Sequence, residues 1–187
     1  PARRGSPSGL PSTTAAAPPP VTPRLLSELP QQQGAQRVGS SYNEPLITSE
    51  WAASVFREAQ TAGLKCAYIS NGNATREVLQ YIRPLVSAYK IDLKTMSDKN
   101  YRRLGAVLEN VLNGIRMVHE LGFWMEIVTL GIPGFNDSEA ERTDAARFLA
   151  GLPPALPWHL PAFPPAPHHT PPAPPAPPAH TPPPPPA

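Results

Sequence analysis

The sequence predicts an α/β fold built on a parallel sheet of about five strands, and three observations predict it. Short runs rich in β-branched and aromatic residues alternate with segments whose apolar residues recur at the spacing of a helix face. Cap and turn residues stand at the joints between the two kinds of run. Proline is scarce only in the middle: of 29 prolines, 8 fall in residues 1–34, 3 in residues 35–152 and 18 in residues 153–187. Proline lacks an N–H and fixes φ, so the packed part is that middle. Strand–helix alternation there implies right-handed crossovers and a parallel sheet.

Residues 38–42 open the order as a first strand. Thr48 stands where a helix N-cap belongs, Ala52, Val55, Phe56 and Ala59 follow at i, i+3, i+4 and i+7, and Gly63 sits where the helix stops. Residues 65–70 form the next strand, broken at Asn71-Gly72. A helix carrying Val78, Leu79 and Ile82 runs to Pro84, and a strand follows over residues 87–93. Ser97 opens a short helical turn through Tyr101. A longer helix uses Leu108, Val111, Leu112, Ile115 and Val118 and closes at Gly122. Residues 124–130 are β-rich and end in Gly131-Ile132-Pro133-Gly134. Ser138, with Glu141 three residues on, is a capping box for the last helix, which ends at Gly151. Residues 158–163 make the final strand. The Pro-, Ala-, Ser- and Gln-rich stretch 1–34 and the Pro-, Ala- and His-rich stretch 165–187 are expected to be disordered tails around a domain at 35–164.

Charge narrows the function. Residues 35–152 hold 13 Lys+Arg against 13 Asp+Glu, so the net charge of +2 belongs to the N-terminal stretch. A neutral core without a basic run argues against nucleic acid as a partner. No apolar run approaches the ~20 residues that span a bilayer, so no membrane partner is expected and the expected localisation is cytoplasmic. One cysteine, Cys66, can neither pair internally nor hold a metal alone. It is expected to be a small buried hydrophobe.

In parallel α/β folds ligands sit beyond the carboxyl ends of the strands. Those ends are Tyr42-Asn43-Glu44-Pro45, Ser70-Asn71-Gly72-Asn73, Asp92-Leu93-Lys94, Gly131-Ile132-Pro133-Gly134 and Trp158-His159. Along the third of them, Ala88, Lys90, Asp92 and Lys94 share one face while Tyr89, Ile91 and Leu93 share the other. In a barrel the apolar face would meet the helices and leave an Asp–Lys pair pointing into the lumen, and a buried charge must be paired or bound, which asks for a polar ligand. The alternative is an edge strand with one wet face. Glu126 poses the same choice beside Trp124, Val128 and Leu130.

Taken together and in this order, these strand ends, with Ile132-Pro133-Gly134-Phe135-Asn136-Asp137 and Pro157-Trp158-His159, resemble radical S-adenosylmethionine (radical SAM) enzymes. The resemblance is to the pyruvate formate-lyase activating enzyme-like group, closest to its AmmeMemoRadiSam-system branch, and covers about residues 40–164. It implies a partial (β/α) barrel open along its first strand. It also implies an activase-like oxidoreductase that reductively cleaves S-adenosylmethionine at a [4Fe–4S] cluster to a 5′-deoxyadenosyl radical, which then takes hydrogen from a substrate. By resemblance, Asn43 and Glu44 meet the methionine amino group, and Ser70 and Asn71 help to hold the same moiety. Lys94 meets its carboxylate or the ribose with Asp92 in balance, the 131–134 loop lies beside the adenine, and His159 lies near the ribose.

The family holds its cluster with a C-x3-C-x2-C loop upstream of the position of Asn43, and these 187 residues contain a single cysteine. The expectation is a partial copy of the fold that binds no cluster by itself, is inactive alone, and binds S-adenosylmethionine weakly or not at all. The substrate is not specified by these residues. Two other classes remain open. One is an interaction protein whose Pro-rich tail docks aromatic grooves, although residues 153–187 lack the Lys or Arg that often flanks such a core. The other is a phosphate-binding α/β enzyme using the 131–134 loop. Among His168, His169 and His180, weak metal binding competes with simple solvation.

Overall fold

In the computed structural model, residues 20–152 and 156–163 are described, and the Pro-rich stretches on either side lie outside them. Five strands form one parallel sheet in sequence order: β1 (Arg37–Ser40), β2 (Lys65–Ser70), β3 (Ala88–Asp92), β4 (Met125–Val128) and β5 (Trp158–His159). The crossovers carry α2 (Ser49–Thr61), α3 (Arg76–Ile82), α4 (Asp98–Arg103), α5 (Leu108–Glu120) and α6 (Glu139–Ala150). Among the described residues β1 and β5 have one strand neighbour each, so the described sheet is an open half-barrel with β3 at its centre.

Alternation decides which face is covered. Tyr68 of β2, Tyr89 and Ile91 of β3 and Ile127 of β4 are fully buried and join Phe56, Leu79, Ile82, Ile115 and Val118 of the helices in one core. Within it Tyr68, Tyr89 and Phe123 pack in a row, with ring centroids 5.3 and 5.4 Å apart, the first pair tilted and the second edge-to-face. The residues between them, Ala67, Ile69, Ala88, Lys90, Asp92, Glu126 and Val128, stay half-buried on the opposite, helix-free face. The edge-strand alternative for residues 87–93 is thereby excluded, because β3 is paired on both sides.

The loop after β2 is pressed into this core by two glycines. Gly72 has φ +79°, and a Cβ there would lie 2.7 Å from Cγ2 of Ile91. Gly114 of α5 lies so close beneath that its Cβ would stand 1.9 Å from the Gly72 carbonyl oxygen. Only a residue without a side chain lets helix and loop approach this far.

Several expectations need correction. The stretch 1–34, read as wholly disordered, contains a helix, α1 (Pro23–Gln32). Thr22 caps it, its Oγ accepting from Leu25 N at 3.2 Å, Pro23 occupies the first turn, and the helix packs along α2. Thr48 makes no side-chain cap bond. A 3₁₀ turn over Pro45–Thr48 precedes α2, and Glu44 caps that turn. Ser138 accepts from Glu141 N as a cap should, but the Glu141 carboxylate does not close the box. It reaches the turn after β3, accepting from Thr95 Oγ1 and from Met96 N at 2.7 Å. The first and last strands are shorter than expected, and among the described residues beyond β5 the sheet pairing continues only as a bridge from Gly131 to Ala162.

Candidate functional site

Six of the seven residues assigned by resemblance converge. Asn43, Glu44, Ser70, Asn71, Asp92 and Lys94 line one open cleft of about 450 Å³ at the carboxyl ends of β1, β2 and β3. Lys90, which shares a face with Asp92, lines it too. His159 is not among the lining residues. It stands exposed at the end of β5, its Nε2 3.3 Å from Oε2 of Glu126.

The cleft holds both signs of charge. Lys94 Nζ donates to Oδ2 of Asp92 at 2.7 Å, and Lys90 Nζ lies 3.9 Å from the other oxygen. These side chains are about one-third to two-fifths exposed (29% for Asp92, 43% for Lys94), so water screens the pair and a ligand can compete for either partner. Across the cleft Glu44 binds backbone, Oε1 accepting from Leu46 N at 3.2 Å and Oε2 from Asn71 N at 2.7 Å. Each oxygen keeps a lone pair for a further donor. Ser70 Oγ accepts from Gly72 N at 3.0 Å, and Asn71 Oδ1 accepts from Asn73 N at 2.9 Å, which fixes the tight turn on that wall.

Two buried side chains near this rim went unassigned in the sequence. Asn136 is 4% exposed: Nδ2 donates to Lys94 O at 2.6 Å and to Leu130 O at 2.8 Å, while Oδ1 accepts from Ile132 N at 2.7 Å. Tyr101 is 2% exposed, and its hydroxyl accepts from Lys94 N at 2.9 Å. Burial pushes that phenol up to about 12. Asn136 lies within the motif Ile132-Pro133-Gly134-Phe135-Asn136-Asp137, but its partners at Lys94 and Leu130 are not legible from spacing.

An iron–sulfur cluster does not fit the residues present. Cluster irons take thiolates, and the single cysteine is 1% exposed beneath α2, with its Sγ 3.8 Å from Phe56 O. Burial pushes its thiol up to about 11. Among the described residues no three His, Cys, Asp or Glu side chains come together as a metal site. S-adenosylmethionine is different, because a zwitterionic methionine end suits a cleft that offers carboxylates and ammonium groups side by side.

Fold and site thus define a parallel half-barrel with a mixed-charge cleft at its strand ends. The model of the radical SAM superfamily matches residues 17–146, and the chain belongs to that superfamily. Among curated proteins it is similar to an uncharacterized protein of Methanocaldococcus jannaschii, 28% identical over 63% of this chain and 35% of that one. It is also similar to the isethionate sulfite-lyase activating enzyme of Desulfovibrio desulfuricans, 28% identical over 64% of this chain and 40% of that enzyme. The chain therefore spans well under half the length of these relatives. Among solved structures, a domain of pyruvate-formate lyase-activating enzyme from Bacteroides vulgatus superposes with TM-score 0.58 at 26% identity, covering 67% of this chain and 76% of that one. The family match begins upstream of α1, in line with a folded helix there. Among the described residues, no helix is long and apolar enough to cross a membrane.

Proposed function

We propose that residues 35–164 form the S-adenosylmethionine-binding part of an activating-type radical SAM enzyme. The observation that carries this reading is the convergence of Asn43, Glu44, Ser70, Asn71, Asp92 and Lys94, drawn from three separate strand ends, on one cleft. Glu44 and Asn43 receive the methionine ammonium. Lys94 receives its carboxylate, exchanging Asp92 for the ligand as salt-bridge partner. Ser70 and Asn71 hold the β2 turn against the same end. The 131–134 loop offers main chain to the flat base, and His159 closes the far side from β5.

S-adenosylmethionine supplies radical hydrogen-abstraction chemistry once it is reduced, and reduction needs an iron–sulfur cluster that the residues of this chain do not fit. The chain by itself is therefore a binding unit, and its cleft is expected to hold the molecule weakly. Calorimetry on the full chain checks this. The expected result is weak, saturable binding that disappears in Lys94→Ala, whereas no saturable heat, or heat untouched by that substitution, overturns the reading. Anaerobic reconstitution with iron and sulfide should leave the chain without cluster absorbance; a stoichiometric cluster refutes the second half of the proposal.

A further inference from the structure

Lys94 lies one step past the end of the ladder. The last bond between β3 and β4 is from Leu93 N to Val128 O at 3.0 Å, and register pairing ends at Asp92 opposite Val128. A residue just outside a ladder ordinarily has its main chain in solvent or in a turn. Here both of its main-chain groups are taken by buried side chains, one from farther along the connection that Lys94 itself opens and one from the connection after β4. Its N–H donates to the hydroxyl of Tyr101 from α4 at 2.9 Å, and its carbonyl accepts from Nδ2 of Asn136, in the segment before α6, at 2.6 Å.

We propose that Tyr101 and Asn136 are positioning residues for Lys94, holding its main chain so that its ammonium group is aimed into the cleft. Neither side chain lines the cleft. Asn136 spends its second donor on Leu130 O and its oxygen on Ile132 N, so one side chain joins the end of β3, the end of β4 and the 131–134 loop where no ladder does. Glu141 steadies the next step of the chain at Thr95 and Met96. A buried, neutral phenol is a constant acceptor for the Lys94 N–H across the ordinary pH range, and both donors of Asn136 are used while its oxygen is held by Ile132 N. Displacing a binding group by ~1 Å is enough to spoil a site, so the fastening of Lys94 bears directly on what its side chain can hold.

This inference rests on the reading of the cleft as an S-adenosylmethionine site, and two readouts separate their fates. Tyr101→Phe removes one atom and leaves the Lys94 N–H without its acceptor. Asn136→Asp keeps the shape but loses both donors at neutral pH. With S-adenosylmethionine as the probe, calorimetry should give about tenfold weaker binding in each. The gap between Asn136→Asp and the unsubstituted chain should narrow as pH falls, because the protonated acid regains one donor. Unchanged affinity in both variants, or a gap indifferent to pH, overturns the proposal. Isotope-labelled N-methyl groups on the lysines supply the ligand-free readout, with the Lys94 resonance assigned through Lys94→Arg. In both variants it should move toward its position in Asp92→Asn, where the partner is gone. If the unsubstituted chain binds nothing, the cleft reading fails alone. The lysine resonance then decides the positioning role: movement upholds it, and an unmoved resonance refutes it.

Discussion

The two faces of β3 are built from alternate residues of one five-residue strand, yet they answer to different physics. Tyr89 and Ile91, with Leu93 just beyond, are at most 1% exposed beneath the helices, where stability comes from apolar burial and close packing. Lys90 and Asp92, with Lys94, keep about 30–40% of their side-chain surface (33%, 29% and 43%), and their mutual attraction is screened. The covered face is thus the one whose loss should unfold the protein, while the open face should tolerate substitution with little effect on folding and, on the proposed reading of the cleft, should register it in binding. The two meet at the strand end, where the main chain of Lys94 is fixed by groups rooted in the core.

The sharpest way to break this contrast is on the covered side. Ile91→Ala should cost ~2–5 kcal/mol, read from denaturant unfolding, because it empties a fully buried site at the centre of the sheet. Next comes Gly114→Ala, whose Cβ would stand 1.9 Å from the Gly72 carbonyl oxygen. Forcing helix and loop apart should cost ~1–3 kcal/mol and should also loosen the Asn71 wall of the cleft, weakening ligand binding.

Alkaline titration probes the same face more gently. Burial raises Cys66 from 9.0 to about 11, and Tyr68 and Tyr101 from 10.0 to about 12. Each is a neutral acid whose folded pKa stands above its unfolded one, so the folded state keeps protons that the unfolded chain would release. Their contribution is complete below about pH 9 and is lost as pH rises toward 11 and 12. Thermal melts should therefore hold steady to about pH 9 and fall beyond it, and the late tyrosinate signal should appear together with unfolding. The smallest effect belongs to the open face. Asp92→Asn should change stability by no more than ~1 kcal/mol in denaturant melts while altering affinity for S-adenosylmethionine.

The strand faces were legible in the sequence because period-two alternation is a local signal, and residues 89–94 carry it without interruption. So were the strand ends, since in a parallel sheet they must gather on one rim. The helix over Pro23–Gln32 was hidden by its setting: Pro30 and a Gln run argued for irregular chain, and of its apolar residues Leu26 has meaning only once the core is there to meet it, while Leu25 and Leu29 stay exposed. Glu141 looked like a local cap partner, but its carboxylate found Met96, 45 residues away. Asn136 reaches Lys94 from 42 residues away. Spacing rules see nothing at such separations, because they describe neighbours along an element and not what a fold brings alongside. His159 marks the far limit of what strand order conveys: it stands at the end of β5, two strands from β3, with its Nε2 3.3 Å from Oε2 of Glu126.

The strand order carries one more consequence, for how the chain comes together. Because each strand pairs with the one that follows it in sequence, every strand–helix–strand unit can close on its own neighbour without waiting for a distant segment. Growth of that kind resembles a row of stacked repeats more than a ring that must be completed before it holds. Native-state amide exchange should therefore slow from both edges inward, fastest in β1 and β5 and slowest in β3, which carries the cleft's Lys and Asp at the most persistent point of the sheet.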